Sequence, residues 1–299
     1  MSRLPKVVAV VGPNASGKSA LGIELAKRFD GEIISADSRQ VFEGLDLGSG
    51  KVTPEETQGI PHHMIDVLKP NAFFSMADFQ GLSYQYIDEI RSRGKLPMIV
   101  GGTGLYVDSV LDGYLLSDKE PDLAYRAELE KLTTPQLYEM LLQLKPDVEV
   151  ERNNRNRVMR IIERIHDGDD ATPGKQARYK SLRLGVSWPR EVVNRRIDER
   201  LERRLEQGMI EEVQRLMDNG ATTEFLLGLG LEYRFITQYL IGEIPDKNVM
   251  LEKLAIAIKQ FAKRQMTWFR RNKDIVWLDM SGDYFAQACG AIEAFLKDE

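Results

Sequence analysis

The chain has 299 residues, 42% of them hydrophobic and 29% charged, the balance of an ordinary globular protein long enough to bury most of the surface its unfolded chain exposes. Its formal net charge is −5 and its single cysteine is Cys289, which excludes an internal disulfide framework and a cysteine-built zinc site and leaves core filling as the role expected of that thiol. No apolar leader and no run of about 18 apolar residues stands out, so a cytosolic protein without membrane spans is expected.

Val7–Val11 is a continuous apolar, β-branched run, the pattern of a buried parallel strand. Gly12-Pro13-Asn14-Ala15-Ser16-Gly17-Lys18-Ser19 follows it and fits G-x-x-x-x-G-K-[ST] at every position. The glycines of such a P-loop let backbone N–H groups point at phosphate oxygens, and the helix expected from Ser19 to Arg28 adds its positive end. Lys18 supplies a point charge, and the Ser19 hydroxyl is a candidate ligand for Mg²⁺. Glu32–Ala36 reads as a second short strand that ends in Asp37. At a strand tip beside the P-loop, Asp37 fits a metal shell, a turn or helix cap, or a general base, and capping is as reasonable as chemistry. Ser38, Arg39 and Gln40 follow as a polar group suited to a planar ligand edge, with Gln shaped for a purine. His62 and His63 are adjacent, the wrong spacing for two ligands on one helix face, and are expected to hydrogen-bond within a loop. Pro97–Val100 is a third strand running into Gly101-Gly102-Thr103-Gly104, a tight loop that a substrate can approach closely and where Thr103 offers a hydroxyl.

Strands alternating with helices predict a parallel α/β sheet flanked by helices, with ligands gathering at the carboxyl ends of the strands. A nucleotide-hydrolysing motor or switch would also need an acid at the end of an apolar strand to hold its metal. Asp66, after the short run His62–Ile65, is a poor candidate, which weakens that reading and leaves a small-molecule kinase open. From residue 119 to 182 the pattern turns helical, charged and rich in Leu and Arg, so a helical insertion domain is expected there, between core segments 1–118 and 183–299. A cluster of breakers falls at 167–174. Arg183–Ser187 reads as the return to the sheet, Glu191–Asn219 as one long amphipathic helix ending at Gly220, and Ile275–Leu278 as a possible last strand. Arg196 and Arg200 share a helix face and can either clamp a leaving diphosphate or form surface salt bridges. Glu151–Arg200 carries thirteen basic and eight acidic residues, and Ile258–Lys273 six basic residues and no acid. Any one such run is most simply a solvated face, but two of them, the second carrying Trp268 and Phe269, favour a polyanionic partner.

Taken together, GPNASGKS (12–19), ISADSRQVFEGLDLGSGK (34–51), PHHMIDV (61–67), VGGTGLYVDSVLDG (100–113), RVMR (157–160), RRIDERLERRLEQGMIEEV (195–213) and FAKRQMTWFRR (261–271) resemble the tRNA dimethylallyltransferases, or tRNA isopentenyltransferases, of the bacterial type. The resemblance implies a P-loop NTPase-like fold with a tRNA-contacting insertion, working as a monomer. It implies transfer of a dimethylallyl group from dimethylallyl diphosphate to N6 of the adenine at position 37, beside the tRNA anticodon. It further implies that Gly12–Ser19 holds the donor's diphosphate rather than ATP, that Asp37 is the general base, and that Thr103 lies at the reaction centre. Arg196 or Arg200 would then meet the diphosphate. Ser38, Arg39 and Gln40 would contact the flipped base and its neighbours. Arg157, Arg160, Tyr233, Arg234 and the segment with Lys263, Arg264, Gln265, Thr267, Trp268 and Arg270 would grip the RNA. Glu232 stands where the family more often has glycine. Competing readings are an adenylate isopentenyltransferase acting on free nucleotides, a P-loop kinase, and a non-catalytic RNA-binding protein with a relict P-loop.

Overall fold

The computed structural model describes residues 4–116, 122–169 and 174–298. Its elements run β1 (Lys6–Val11), α1 (Lys18–Arg28), β2 (Gly31–Ala36), α2 (Pro54–Thr57), β3 (His62–His63), α3 (Met76–Ser92), β4 (Leu96–Gly101) and α4 (Gly104–Leu111). Three helices follow, α5 (Leu123–Glu130), α6 (Thr134–Leu144) and α7 (Arg155–His166). The chain then forms β5 (Lys180–Ser187), α8 (Arg190–Glu206), α9 (Met209–Asp218), α10 (Thr223–Gly228), α11 (Leu231–Leu240), α12 (Lys247–Phe269), β6 (Val276–Asp279) and α13 (Tyr284–Lys297).

The six strands form one sheet in the order β3-β2-β4-β1-β5-β6, and every neighbouring pair is parallel. β1 is central because it has nothing polar to expose. Val8 and Val10 face one apolar layer and Val7, Ala9 and Val11 the other, all of them fully buried. One layer is closed by α1 and α13, where the half-buried Cys289 helps to fill the core. The other is closed by α3, α4 and the helices from α8 to α12. β2, β3 and β4 lie on one side of β1 and β5 and β6 on the other, so the direction of winding reverses at β1, which places a crevice above its carboxyl end.

Contacts divide the chain into two compact units, Met1–Asp112 with Ala177–Glu299, and Gly113–Gln176. These boundaries lie a few residues earlier than the change in composition at 118/119 and 182/183. Within the second unit the Gln176 amide donates to the Gly113 carbonyl at 2.7 Å and the Leu115 amide to the Gly174 carbonyl at 2.9 Å, closing the neck of the insertion. β5 starts at Lys180 rather than Arg183, because Lys180–Leu182 already pair with Lys6–Val8 of β1. The second unit has its own core of Leu129, Leu137, Leu141, Val158 and Ile162. Part of the breaker cluster, residues 170–173, lies outside the described residues.

Two further expectations need correction. The single helix expected over Glu191–Asn219 is two helices, because Gly208 adopts φ 93°, a left-handed conformation that ends one helix and starts the next. His62 and His63 are not in a loop but form a short edge strand on β2. His62 Nδ1 meets the Ile60 carbonyl at 2.8 Å, and His63 Nε2 meets the buried Glu32 carboxylate at 2.8 Å, which Arg93 also binds.

Candidate active site

The loop between β1 and α1 has the shape of an anion cradle. Ala15 and Gly17 are left-handed, with φ 59° and 91°, which turns successive amides inward. The Ser16 hydroxyl is buried and has no hydrogen-bond partner among the described residues. No acid occupies the first turn of α1, so its own sequence does not offset its positive end. Gly12 lies against the Val186 side chain of β5, where a Cβ would collide. The loop is braced from outside, where the Trp188 indole donates to the Ser16 carbonyl at 2.9 Å. Arg196 Nε donates to the Ala15 carbonyl at 2.8 Å, and its guanidinium lies over the Trp188 ring.

Beside this cradle the fold gathers more positive charge than it neutralises. Lys18 shares its neighbourhood with Arg200, Arg39 and Arg204 and with the opposing Asp37. Burial first, and then Arg200, push the Lys18 ammonium down to about 8. Burial and the adjacent Arg204 push Arg200 down to about 10. Arg200 Nη2 reaches the Gly50 carbonyl at 3.3 Å, and Arg204 Nη2 is buried without a partner. Cations that crowd together and keep unspent donors are arranged for an anion that brings several acceptor oxygens. Arg204 escaped the sequence reading, although the spacing Arg196–Arg200–Arg204 continues the same helical face by one turn.

The cluster's carboxylates are Asp37 and Glu232. Glu232 is 3% exposed and accepts from Arg39 Nη1 at 2.8 Å, with Arg204 Nη1 at 3.7 Å. Nothing in the sequence marked it as a site residue. Asp37 Oδ1 accepts the Arg39 backbone N–H at 3.0 Å, a local turn bond, while Arg39 Nε stands 3.6 Å away. Among the described residues Asp37 Oδ2 has no hydrogen-bond partner. Asp37 therefore caps a turn with one oxygen, and the other can accept a proton or a hydrogen bond. The Thr103 amide donates to the Ala36 carbonyl at 3.1 Å, which ties the tips of β2 and β4 together. Thr103 is the N-cap position of α4 but its hydroxyl makes no capping bond, so it is free to meet a ligand.

Several residues expected to touch RNA are bonded within the protein. Gln265 is buried: it accepts from the Asn14 amide at 2.9 Å and donates to the Gly102 carbonyl at 3.0 Å and to Asn14 Oδ1 at 3.3 Å, clamping the P-loop to the glycine loop. The Gln40 amide is spent on Ser35 Oγ at 2.7 Å and the Gly50 carbonyl at 3.2 Å, so it is not open to a purine. Arg39 is held by its carboxylates, and the Trp268 indole donates to Asp108 at 2.8 Å. Tyr233 is fully buried, with its phenol donating to Glu212 at 3.0 Å and accepting from the Ser49 amide at 3.1 Å. The Glu212 carboxylate also accepts from the amides of Asp46, Leu47 and Gly48 and so shapes the loop that carries Gly50. Gly50 itself leaves no room for a side chain, because the Arg200 and Arg204 guanidiniums occupy the space.

Ser38 is half-buried, and Arg234, Lys263, Arg264, Thr267 and Arg270 are exposed. Arg264 lies over the Phe261 ring and Arg271 over Trp268, a basic and aromatic surface on α12. In the second unit Arg157 is exposed and Arg160 pairs with Glu163 at 3.1 Å. Asp66, the alternative metal acid, pairs with Lys51. Among the described residues no group of three or more His, Cys, Asp and Glu could hold a metal ion, so a cation there would depend on the Ser19 hydroxyl and on oxygens of the ligand.

The chain is similar to known proteins over most of its length. A family model described as IPP transferase matches residues 40–272, and one described as isopentenyl transferase matches 5–68. A tRNA dimethylallyltransferase 2 of Shewanella sediminis is 45% identical over 296 residues, covering 95% of this chain and 96% of the relative. A tRNA isopentenylpyrophosphate transferase crystal structure from Bacillus halodurans is 36% identical, with TM-score 0.75 and 98% of each chain covered. A eukaryotic dimethylallyltransferase solved as snapshots of its action on tRNA is 26% identical, with TM-score 0.81, covering 99% of this chain and 80% of that one.

Proposed function

The chain belongs to the IPP transferase family, and on that premise we propose that it moves a dimethylallyl group from dimethylallyl diphosphate to N6 of the adenine at tRNA position 37. The reading rests above all on one observation, a carboxylate with an unspent oxygen beside a cluster of four cations, Lys18, Arg39, Arg200 and Arg204. The donor's diphosphate lies in the cradle of Gly12–Ser19, with Lys18, Arg200 and Arg204 around its oxygens. Arg196 positions the loop through the Ala15 carbonyl rather than by meeting the diphosphate with its Nε.

An exocyclic amine is a weak nucleophile. As the bond from N6 to the allylic carbon forms and the carbon–oxygen bond breaks, the electron pair leaves with the diphosphate and the N6 proton passes to Asp37. Base catalysis of this kind contributes roughly 10²–10⁴-fold. The cations stabilise the charge growing on the leaving group, where preorganised donors act most strongly. Mg²⁺, when bound, adds further positive charge there. Ser19 would hold it together with diphosphate oxygens and water, the manner in which Mg²⁺ is usually bound. Thr103 orients the base, and Ser38 lies close by. Lys263, Arg264, Thr267 and Arg270, with Arg234 and, on the insertion, Arg157, supply affinity through phosphates.

Incubation with labelled dimethylallyl diphosphate, Mg²⁺ and either an anticodon stem-loop or AMP tests the reading. Label in the stem-loop is the expected result. Label in AMP alone would mean an adenylate isopentenyltransferase, and turnover that requires ATP would mean a kinase.

A further inference from the structure

The Arg39 guanidinium stands between two carboxylates. Its Nη1 bonds Glu232 at 2.8 Å, while its Nε is 3.6 Å from Asp37, too far for a good hydrogen bond. We infer that Glu232 is a positioning residue that draws Arg39 away from Asp37 and so keeps the Asp37 carboxylate able to take the N6 proton. The inference rests on Asp37 being the base.

Among the described residues, four cations and one phenol feel the charge of Asp37. Lys18 reaches it from α1, Arg39 from its own loop, and Arg200 and Arg204 from α8, with the neutral Tyr106 phenol on α4 beside them. A carboxylate bonded squarely by a guanidinium is a poorer base, because the bond stabilises its charged form. Glu232 counters this from α11. It is buried and fixed between Arg39 and Arg204. With its charge removed, Arg39 keeps one carboxylate within reach and turns to it.

The test is the pH profile of single-turnover transfer. Glu232→Gln is expected to lower the plateau rate by roughly three- to tenfold, to change the donor KM by less than about threefold, and to move the acid limb to lower pH by about one unit. Arg39→Gln, which removes the competitor, should move that limb upward. In the Arg39→Gln background Glu232→Gln should add little, since its effect runs through Arg39. Glu232→Asp should recover part of the rate and keeps the test alive if Glu232→Gln does not fold. A Glu232→Gln enzyme with an unmoved limb would overturn the inference, as would an undiminished loss in the Arg39→Gln background, which would mark Glu232 as a purely structural ion. Asp37→Asn is run alongside. If it turns over normally, the base assignment itself fails. If it is inactive while Glu232→Gln behaves as wild type, only the role of Glu232 fails.

Discussion

Gln265→Ala separates a structural clamp from an RNA contact. The Gln265 side chain makes three hydrogen bonds, two to Asn14 and one to the Gly102 carbonyl. At about 1 kcal/mol net for each bond, the substitution should cost about 3 kcal/mol. For a unit of this size that lowers the melting temperature by about 6–12 °C. The Asn14 amide and Gly102 carbonyl then loosen on either side of the diphosphate, and affinity for inorganic diphosphate should fall about tenfold, the equivalent of about 1.4 kcal/mol. Affinity for an anticodon stem-loop, measured by fluorescence anisotropy, should stay within about twofold, because Gln265 has no surface to offer RNA. Its neighbour Arg264 is exposed, and Arg264→Ala should do the opposite, leaving the melting temperature alone and reducing the salt slope of stem-loop binding by roughly one. An unchanged melting temperature together with weakened RNA binding in Gln265→Ala would refute the assignment of Gln265 to the interior.

Asp37→Asn should cut the transfer rate by about 10²–10⁴-fold while inorganic diphosphate still binds, as read by calorimetry. Tyr233→Phe leaves the Ser49 amide and the Glu212 carboxylate short of a partner and should cost about 1–3 kcal/mol in thermal or urea unfolding. Lys18 gives a proton-linkage prediction. Because it sits at about 8 when folded and 10.5 when unfolded, the unfolded chain binds the extra proton between those values. Its contribution to stability without ligand therefore rises with pH across that window. Diphosphate restores the charged form, so calorimetry near pH 9 in buffers of different ionisation enthalpy should show proton uptake that exceeds that of Lys18→Met by up to about one proton.

What could be read from the sequence was local. The P-loop was legible because its conformation is written in the glycines and its neighbours in β-branched residues, and β1, β2, β4 and β6 were found within a residue or two of their bounds. The break at Gly208 was also written there, in a glycine followed by the acids of a new helix start, but the apolar period carried on through it. The residues that build the cluster were less legible because they meet only in three dimensions. Glu232 lies 193 residues from Arg39. Gln40, Tyr233 and Gln265 share one difficulty. A polar side chain in a substrate-binding segment can serve the ligand or the backbone beside it, and composition does not distinguish the two. Burial does.

The Glu212 carboxylate that gathers the amides of Asp46, Leu47 and Gly48 belongs to a helix made long after that loop. During synthesis the P-loop and Asp37 leave the ribosome well before α8, α9 and α11 exist. Until those helices arrive, the loop around Gly50 has no mould, and of Lys18, Arg200 and Arg204 the cradle has Lys18 alone. A half-made chain therefore lacks most of the cation cluster, which is complete only with the C-terminal half.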